Sequence, residues 1–385
     1  MSSNLCGRII SSVFEATKLS DHKIIRVKYA MNIDKGPGMW IFNETLLNDT
    51  NYTQQIDQIM DDSLTLWSAC GFDAKYFWDM IKQKSISFTK EFSKEKAARD
   101  KKIMHDIKKE LEYLESLHPQ KMSEGITDRI DVLYSKINEN KKIKLQGSLL
   151  RAKLPNFEEN EPTISFLNAL EKRKGEQNLI FNIYEEETKK MYNGTGEVKD
   201  AIFNFYSKLY KKEKEDIREQ TNFLDKIDKS ITPEQKEKLE TDLTETELYD
   251  SLKSLPDFKS PGPDGLTKGF YLHFWHKLKP LYMNCVRAIK EEIELSEMQK
   301  RGAIKILFKK GDRTLIKNYR PITLLNIDVK IITKALAKRL GSVLPSLIHS
   351  DQTCVPGRHI ANNIHIVQNL IDHINETDGE AALIF

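Results

Sequence analysis

Lys259-Ser-Pro-Gly-Pro-Asp-Gly-Leu266 is the most informative stretch of this 385-residue chain. Its two prolines fix φ and its two glycines permit positive φ, so the loop has a restrained shape. Just upstream, Thr244-Glu-Thr-Glu247 forms a capping box that predicts a helix running to Leu255. The loop is therefore either an ordinary turn between two helices or part of a binding site.

A cationic hairpin is predicted downstream of this loop. Ala303-Ile-Lys-Ile-Leu-Phe308 alternates like a strand and runs into Lys309-Lys-Gly-Asp312. Asn318-Tyr-Arg-Pro-Ile-Thr-Leu-Leu325 predicts the returning strand, which carries Arg320. Lysine offers a compact charge and arginine a planar fork, so the hairpin could bind a triphosphate. The alternative is a surface hairpin with solvated cations.

The charge is distributed unevenly along the chain, although the net charge is only +3. Residues 300–345 contain twelve Lys and Arg against two acids, whereas residues 158–250 contain fifteen against twenty-three. Residues 82–153 are also basic, with eighteen against eleven. Clustered positive charge beside the motif loops is what a phosphate-rich partner requires.

Composition excludes several classes of protein. No segment approaches the ~18 unbroken apolar residues of a membrane span, and the first thirty residues lack a secretory pattern. The four cysteines are scattered, which argues against a disulfide framework or a four-cysteine zinc site. We expect an intracellular, non-membrane protein with no metal site in this chain; its oligomeric state stays open.

The middle of the chain is predicted to be mostly helical. Apolar residues at helical spacing over 88–117 and 126–137 predict two long helices packed as an antiparallel pair. Residues 151–210 are also predicted mostly helical, with a glycine-rich break at 193–196. Thr232-Pro-Glu-Gln235 has the residues of a helix start, with a cap, a first-position proline and a reciprocal glutamine.

Taken in order and spacing, these segments resemble the opening motifs of the reverse transcriptase of LINE-type (non-LTR) retrotransposons. The resemblance includes Asp351-Gln-Thr-Cys-Val-Pro-Gly-Arg358. It implies that Lys309 and Arg320, with Lys310 as a weaker candidate, contact the phosphates of the incoming nucleotide. It also implies that a further set of residues lies near the template: Ser260, Pro261, Gly262, Asp264, Gly265, Gln352, Gly357 and Arg358. The cations of the basic helix from residue 326 to residue 340 either contact nucleic acid or are simply solvated.

The N-terminus resembles the end of the apurinic-type endonuclease domain that precedes the polymerase in these elements. Ser20-Asp-His22 stands before an alternating segment, Ile24–Tyr29, that predicts a strand. In the resembled domain this Asp-His pair orients and activates the attacking water. Some thirty residues cannot build that fold, so Asp21 and His22 are expected to be relics.

The resemblance predicts an α+β, helix-rich chain in three parts. Residues 1–31 are the endonuclease remnant, 32–235 a mostly helical connecting region, and 236–385 the N-terminal fingers part of a right-hand polymerase. The resembled family continues past a strand like Ala381–Phe385 into its first metal-binding aspartate. We therefore expect a truncated, inactive fragment without its own cofactor, whereas the parent enzyme uses Mg²⁺, dNTPs, an RNA template and DNA. Two alternatives are a residual nucleic-acid-binding module and a helical interaction protein.

Overall fold

The computed structural model describes residues 9–15, 24–29, 38–71, 73–117, 124–152, 167–168, 179–212, 217–225, 229–348, 355 and 357–377. Helices dominate this part of the chain, and the strands form short two-stranded sheets. The expected helix-rich α+β class is therefore confirmed. Across the described ranges, no helix combines the length and the apolar character that crossing a membrane requires.

The regular elements follow the chain in this order. The helices are α1 (Thr50–Cys70), α2 (Ala74–Glu115), α3 (Glu124–Ala152), α4 (Thr195–Leu209), α5 (Ile217–Leu224), α6 (Pro233–Glu240), α7 (Glu245–Ser254), α8 (Lys268–Glu292), α9 (Ile327–Leu347) and α10 (Ile360–Thr377). The strands are β1 (Ile9–Glu15), β2 (Ile24–Tyr29), β3 (Asn182–Glu185), β4 (Lys190–Asn193), β5 (Ala303–Phe308) and β6 (Tyr319–Leu324). Short 3₁₀ turns cover Glu44–Asn48 and Ile316–Asn318. The strands pair as β1–β2, β3–β4 and β5–β6.

The chain divides into a small unit and a large unit. The small unit comprises residues 1–39, 178–212 and 308–320, and the large unit comprises residues 40–177, 213–307 and 321–385. In the small unit, β1 and β2 pair antiparallel. Strand β2 covers the residues predicted to form a strand from their alternation, so that prediction is confirmed.

The β3–β4 hairpin of the small unit corrects the prediction that residues 151–210 are mostly helical. These strands pair antiparallel, with Asn182 opposite Asn193. Ile183 is buried at 1% exposure, and Lys189 turns the chain with φ of 53°. The helical prediction is right for α4, which begins after Gly194 in the predicted glycine-rich break.

A large hydrophobic core lies in the large unit. It joins buried side chains of α1 and α2 to those of α7, α8 and α9, with Trp78, Phe270 and Ile331 at most 1% exposed. These helices come from both sides of the predicted domain boundary after residue 235. The boundary stays a prediction, but the core continues across it.

The two long helices predicted in the basic middle region are present. Helix α2 begins earlier than predicted, at Ala74, and packs on α3. The Arg129 guanidinium binds both carboxylate oxygens of Glu110 at 2.7 and 2.9 Å. The apolar part of the contact is a small cluster that contains Leu111, Leu133 and Ile137.

Both predicted capping boxes form. The Thr232 N–H donates to Gln235 Oε1 at 3.0 Å, and the Gln235 N–H donates to Thr232 Oγ1 at 3.2 Å. Thr244 and Glu247 make the same exchange at 2.9 and 3.2 Å. Each box satisfies N–H groups that have no partner inside the helix, which fixes where α6 and α7 begin.

Glu247 also receives the guanidinium of Arg339 from α9. Arg339 Nε and Nη2 donate to the two carboxylate oxygens at 2.6 and 2.7 Å. The same guanidinium donates to the carbonyls of Thr241 and Asp242 at 2.6 and 2.8 Å. These bonds from Arg339 are the main cause that lowers the pKa of Glu247 to about 2. One arginine therefore joins α9 to α7 and to the loop before it.

We expect Arg339→Lys to lower the free energy of unfolding by about 1–3 kcal/mol, because an ammonium cannot reproduce the fork and leaves carbonyls unsatisfied. Urea unfolding followed by circular dichroism measures the change. Lys236→Arg, at an exposed position in α6, is the matched control and should be neutral. Equal stability of Arg339→Lys and the wild type would show that the Arg339 guanidinium contacts do not stabilise the fold.

Candidate nucleotide-binding site

The predicted cationic turn lies in the small unit, over residues 308–320. The Lys309 N–H donates to the Asn318 carbonyl at 2.9 Å, which closes the turn. Gly311 has φ of +91°, and a Cβ there would lie 2.8 Å from Asn318 Nδ2. A side chain at this position would therefore be strained both by its backbone conformation and by the close neighbour.

Asp312 organises the inside of the turn. Its Oδ1 accepts from the N–H and the hydroxyl of Thr314, both at 2.8 Å, and its carbonyl accepts from Asn318 Nδ2 at 2.9 Å. The backbone bond from Thr314 is the main cause that lowers the pKa of Asp312. This carboxylate is therefore ionised and bound to the backbone of its own turn, without an ion pair to the adjacent lysines.

The three predicted phosphate ligands are exposed on this turn. Lys309, Lys310 and Arg320 form no side-chain hydrogen bond or ion pair within the described part of the chain. Lys317, by contrast, binds the Glu186 carboxylate at 2.5 and 2.6 Å. The turn thus carries three cations whose charge is not offset by a contacting carboxylate.

Sequence reasoning missed the element that supports the turn from within the small unit. The Tyr184 N–H, in β3, donates to the Thr314 carbonyl at 2.8 Å. The Phe308 and Tyr319 rings also pack edge to face, with centroids 5.4 Å apart. The alternation of residues 182–185 was a signal for β3, but such a short segment does not reveal its partner.

The loop at 260–265 lies in the large unit, and most of it faces inward. Pro261, Gly262, Asp264 and Gly265 are buried, and Ser260 is exposed. A Cβ on Gly262 would lie 2.2 Å from an oxygen of the Asn326 side chain. Gly265 has φ of +73°, and a Cβ there would lie 2.3 Å from the Trp40 carbonyl.

Asn326, immediately before α9, holds this loop in place. Its Oδ1 accepts from the Asp264 N–H at 3.2 Å, and its Nδ2 donates to the Met298 carbonyl at 2.9 Å. The loop is therefore a junction inside the large unit. Four of its five predicted template-proximal residues are buried here, and contact with template stays a prediction for all five.

A fully buried lysine lies under the loop. The Lys82 ammonium, from α2, is 2.7 Å from Asp328 Oδ2, 3.6 Å from Asp79 Oδ1 and 3.8 Å from Asp264 Oδ2. Burial opposes the charge on Lys82, but attraction to Asp328 and Asp264 raises its pKa. Burial likewise opposes ionisation of Asp328, but Lys82 holds the pKa of that carboxyl below its ordinary value.

Neutral donors complete the environment of Asp328. Trp78 Nε1 and Gln299 Nε2 donate to Asp328 Oδ2 at 2.8 and 3.2 Å, and the Tyr282 hydroxyl donates to the Asp328 carbonyl at 2.6 Å. Sequence reasoning missed both Lys82 and Asp328. Lys82 lies before the helix predicted from residue 88, and Asp328 lies in the basic helix predicted from residue 326 to residue 340. Neither helical period nor basic charge identifies a partner that is distant in sequence.

The remaining predicted site residues are only partly described. Gly357 has φ of +83°, and Arg358 Nη2 donates to the Ile348 carbonyl at 3.3 Å. Their contact with template stays a prediction. Asp21, His22 and Gln352 lie outside the described residues.

The described residues do not fit a magnesium site. Across these ranges, no group of three or more His, Cys, Asp or Glu side chains could hold a metal ion. Asp79, Asp264 and Asp328 surround an ammonium, and Asp312 is bound to its own turn. We therefore assign no step to a metal in this part of the chain.

Comparison with known proteins gives a transposon-encoded relative. No protein-family model matches the sequence. The chain is 28% identical over 396 aligned residues to the transposon TX1 uncharacterized 149 kDa protein of Xenopus laevis. The alignment covers 100% of this chain and 29% of that protein, so the chain spans less than a third of its relative. The chain is thus similar to a transposon-encoded protein; the endonuclease and polymerase boundaries stay predictions.

Because Asp264 is buried, we expect the stability of the fold to depend on pH in an unusual way. Burial raises its pKa to about 7, although Lys82 partly opposes this. A raised carboxyl pKa favours the folded state at low pH, so this group's contribution to stability should fall between about pH 4 and pH 7. Asp264→Asn should remove that fall, making the variant progressively more stable than the wild type as pH rises.

Urea unfolding at several pH values from 4 to 8 measures this difference. We expect the free energy of unfolding of Asp264→Asn, relative to that of the wild type, to increase by roughly 2–4 kcal/mol between pH 4 and pH 8. Asp257→Asn, which changes an exposed carboxylate, is the control. Parallel stability profiles for Asp264→Asn and the wild type would overturn the expectation.

Proposed function

We propose that the chain is part of a retrotransposon reverse transcriptase and that Lys309, Lys310 and Arg320 bind the triphosphate of the incoming nucleotide. The observation that carries the proposal is the turn with three exposed cations, none of which has a carboxylate partner among the described residues. The order of the sequence motifs and the similarity to a transposon-encoded protein support it independently.

The turn is chemically suited to a polyphosphate. Two adjacent lysines supply point charges, and an arginine supplies a planar fork that matches two phosphate oxygens. The nearest acid in sequence, Asp312, uses its carboxylate to accept hydrogen bonds from Thr314 and does not bind the lysine ammonium groups. Gly311 and Asn318 hold the backbone, which lowers the entropy cost when a ligand binds.

We assign the full activity to the parent enzyme of which this chain would be a part. That activity is RNA-directed DNA synthesis, primed at nicked target DNA and dependent on Mg²⁺ and dNTPs. Within it, residues 1–31 are an endonuclease remnant, residues 32–235 connect, and residues 236–385 form the fingers part of the polymerase. The basic segment at 300–345 also favours a second function, sequence-independent binding of RNA or DNA.

Triphosphate binding tests the proposed site directly. The variant with Lys309, Lys310 and Arg320 all changed to alanine should bind a fluorescent dATP analogue at least tenfold more weakly, because it cannot form the charge-assisted hydrogen bonds. Fluorescence anisotropy measures the affinity. Lys317→Ala is the matched control, since it removes a cation of the same turn that is already bound to Glu186. Equal affinity of the triple variant and the wild type would sink the proposal.

Primer extension tests the predicted inactivity. Two-metal phosphoryl transfer needs carboxylates, and the sequence has no match to the family's catalytic aspartate motifs. We expect the 385-residue chain to incorporate no nucleotide on an RNA template with a DNA primer, dNTPs and MgCl₂. A full-length reverse transcriptase is the positive control. Processive, Mg²⁺-dependent incorporation would show that the prediction is wrong.

A further inference from the structure

Phe258 is an exposed aromatic residue in an unfavourable backbone conformation. It lies in the large unit, between the end of α7 and the loop at 260–265. Its side chain is 92% exposed, and its φ is 56°, in the left-handed region. A bulky residue seldom adopts this conformation, and a phenylalanine in water lacks its usual stabilisation by burial. Strain of this kind is more common where a residue serves a binding site.

A row of lysines begins beside this loop. Lys330, in the first turn of α9, donates from its ammonium to the Ser260 carbonyl at 3.3 Å. Lys334 and Lys338 follow at intervals of four residues, so the three lie along one face of the helix over about 12 Å. We call Lys330, Lys334 and Lys338 the lysine row.

Lys334 and Lys338 are exposed, whereas Lys330 is half-buried, and its pKa is lowered by burial and partly restored by attraction to Asp264. Lys338 donates to the Asp250 carbonyl at 3.1 Å, and no member of the row forms an ion pair within the described part of the chain. The nearby carboxylates have other partners: Asp257 binds Lys268 at 2.7 Å, and Asp250 binds Lys253 at 2.9 Å. Lys259 adds an exposed cation directly after Phe258.

An aromatic surface beside a row of cations suits single-stranded nucleic acid. Lysines bind the phosphates, and an exposed ring stacks on a base whatever its identity. An acidic peptide would use the lysines but has no need of the ring. A duplex would present its phosphates but keep its bases stacked inside.

We infer that Phe258 and the lysine row form a binding surface for single-stranded nucleic acid, with one base stacked on the Phe258 ring. The inference rests on the second proposed function, the binding of RNA or DNA by the basic segment at 300–345, and narrows it to single strands and to named residues. The residues that carry it differ from the triphosphate ligands.

Fluorescence anisotropy with a labelled oligouridylate of about 15 nucleotides tests the stacking contact. Phe258→Ala and Phe258→Leu should each weaken binding about tenfold, whereas Phe258→Trp should retain it, because only an aromatic ring stacks. Ile293→Ala is the matched control: Ile293 is also 92% exposed and has φ of 54°. Wild-type affinity for Phe258→Leu, or equal weakening by Ile293→Ala, would overturn the inference.

Two further measurements separate stacking from charge. Phe258→Ala should leave binding of a blunt duplex unchanged and should not alter the salt dependence. Lys334→Ala with Lys338→Ala should reduce the slope of log affinity against log salt by about 0.7 for each phosphate that the variant no longer neutralises. An unchanged slope would exclude the lysine row from the surface.

The triphosphate assay distinguishes this inference from the proposed function. Phe258→Ala should bind the dATP analogue as the wild type does. Weaker oligouridylate binding by Phe258→Ala would support the surface even if the variant at Lys309, Lys310 and Arg320 showed no defect with the analogue. Wild-type oligouridylate binding by Phe258→Ala, together with weaker binding of the analogue by the variant at Lys309, Lys310 and Arg320, would support the triphosphate site and refute the surface.

Discussion

The buried ion pair between Lys82 and Asp328 is the contact on which the large unit depends. Both side chains are at most 1% exposed, so neither charge is solvated by bulk water. Breaking such a pair by removing one partner typically costs about 3–5 kcal/mol, since the other charge stays buried. Helix α2, the loop at 260–265 and the start of α9 must therefore assemble together around the ammonium.

This arrangement separates the inner and outer faces of the proline- and glycine-rich loop. The inner face is used by the protein itself: Asp264 approaches Lys82, and Gly262 lies against Asn326. The outer face is exposed, as are the residues just before the loop, Phe258 and Lys259, so these residues are accessible to a ligand. A rigid inner face allows the outer residues to hold a fixed, unfavourable conformation.

The cationic turn in the small unit keeps its shape without using the charged groups of its cations. Its shape comes from backbone hydrogen bonds, from Gly311 and from the Asp312 carboxylate, none of which uses the charged groups of the cations. Lys309 and Arg320 are thereby left with unoffset charge on an ordered backbone. Exposed ion pairs usually contribute little to stability, so these two side chains cost the fold little by forming no hydrogen bond or ion pair with the described residues, and they stay available to an anion.

The sequence by itself determined the features that depend on neighbouring residues. These are the capping boxes that begin α6 and α7, strand β2, the pairing of α2 with α3, and the order of the motifs with their cations. Only the tertiary structure decided the contacts between distant residues. Lys82 and Asp328 lie 246 residues apart, and β3 meets the turn 130 residues further along the chain, at Thr314. Period and capping act over a few residues, whereas the partner of a buried charge is set by how whole helices pack.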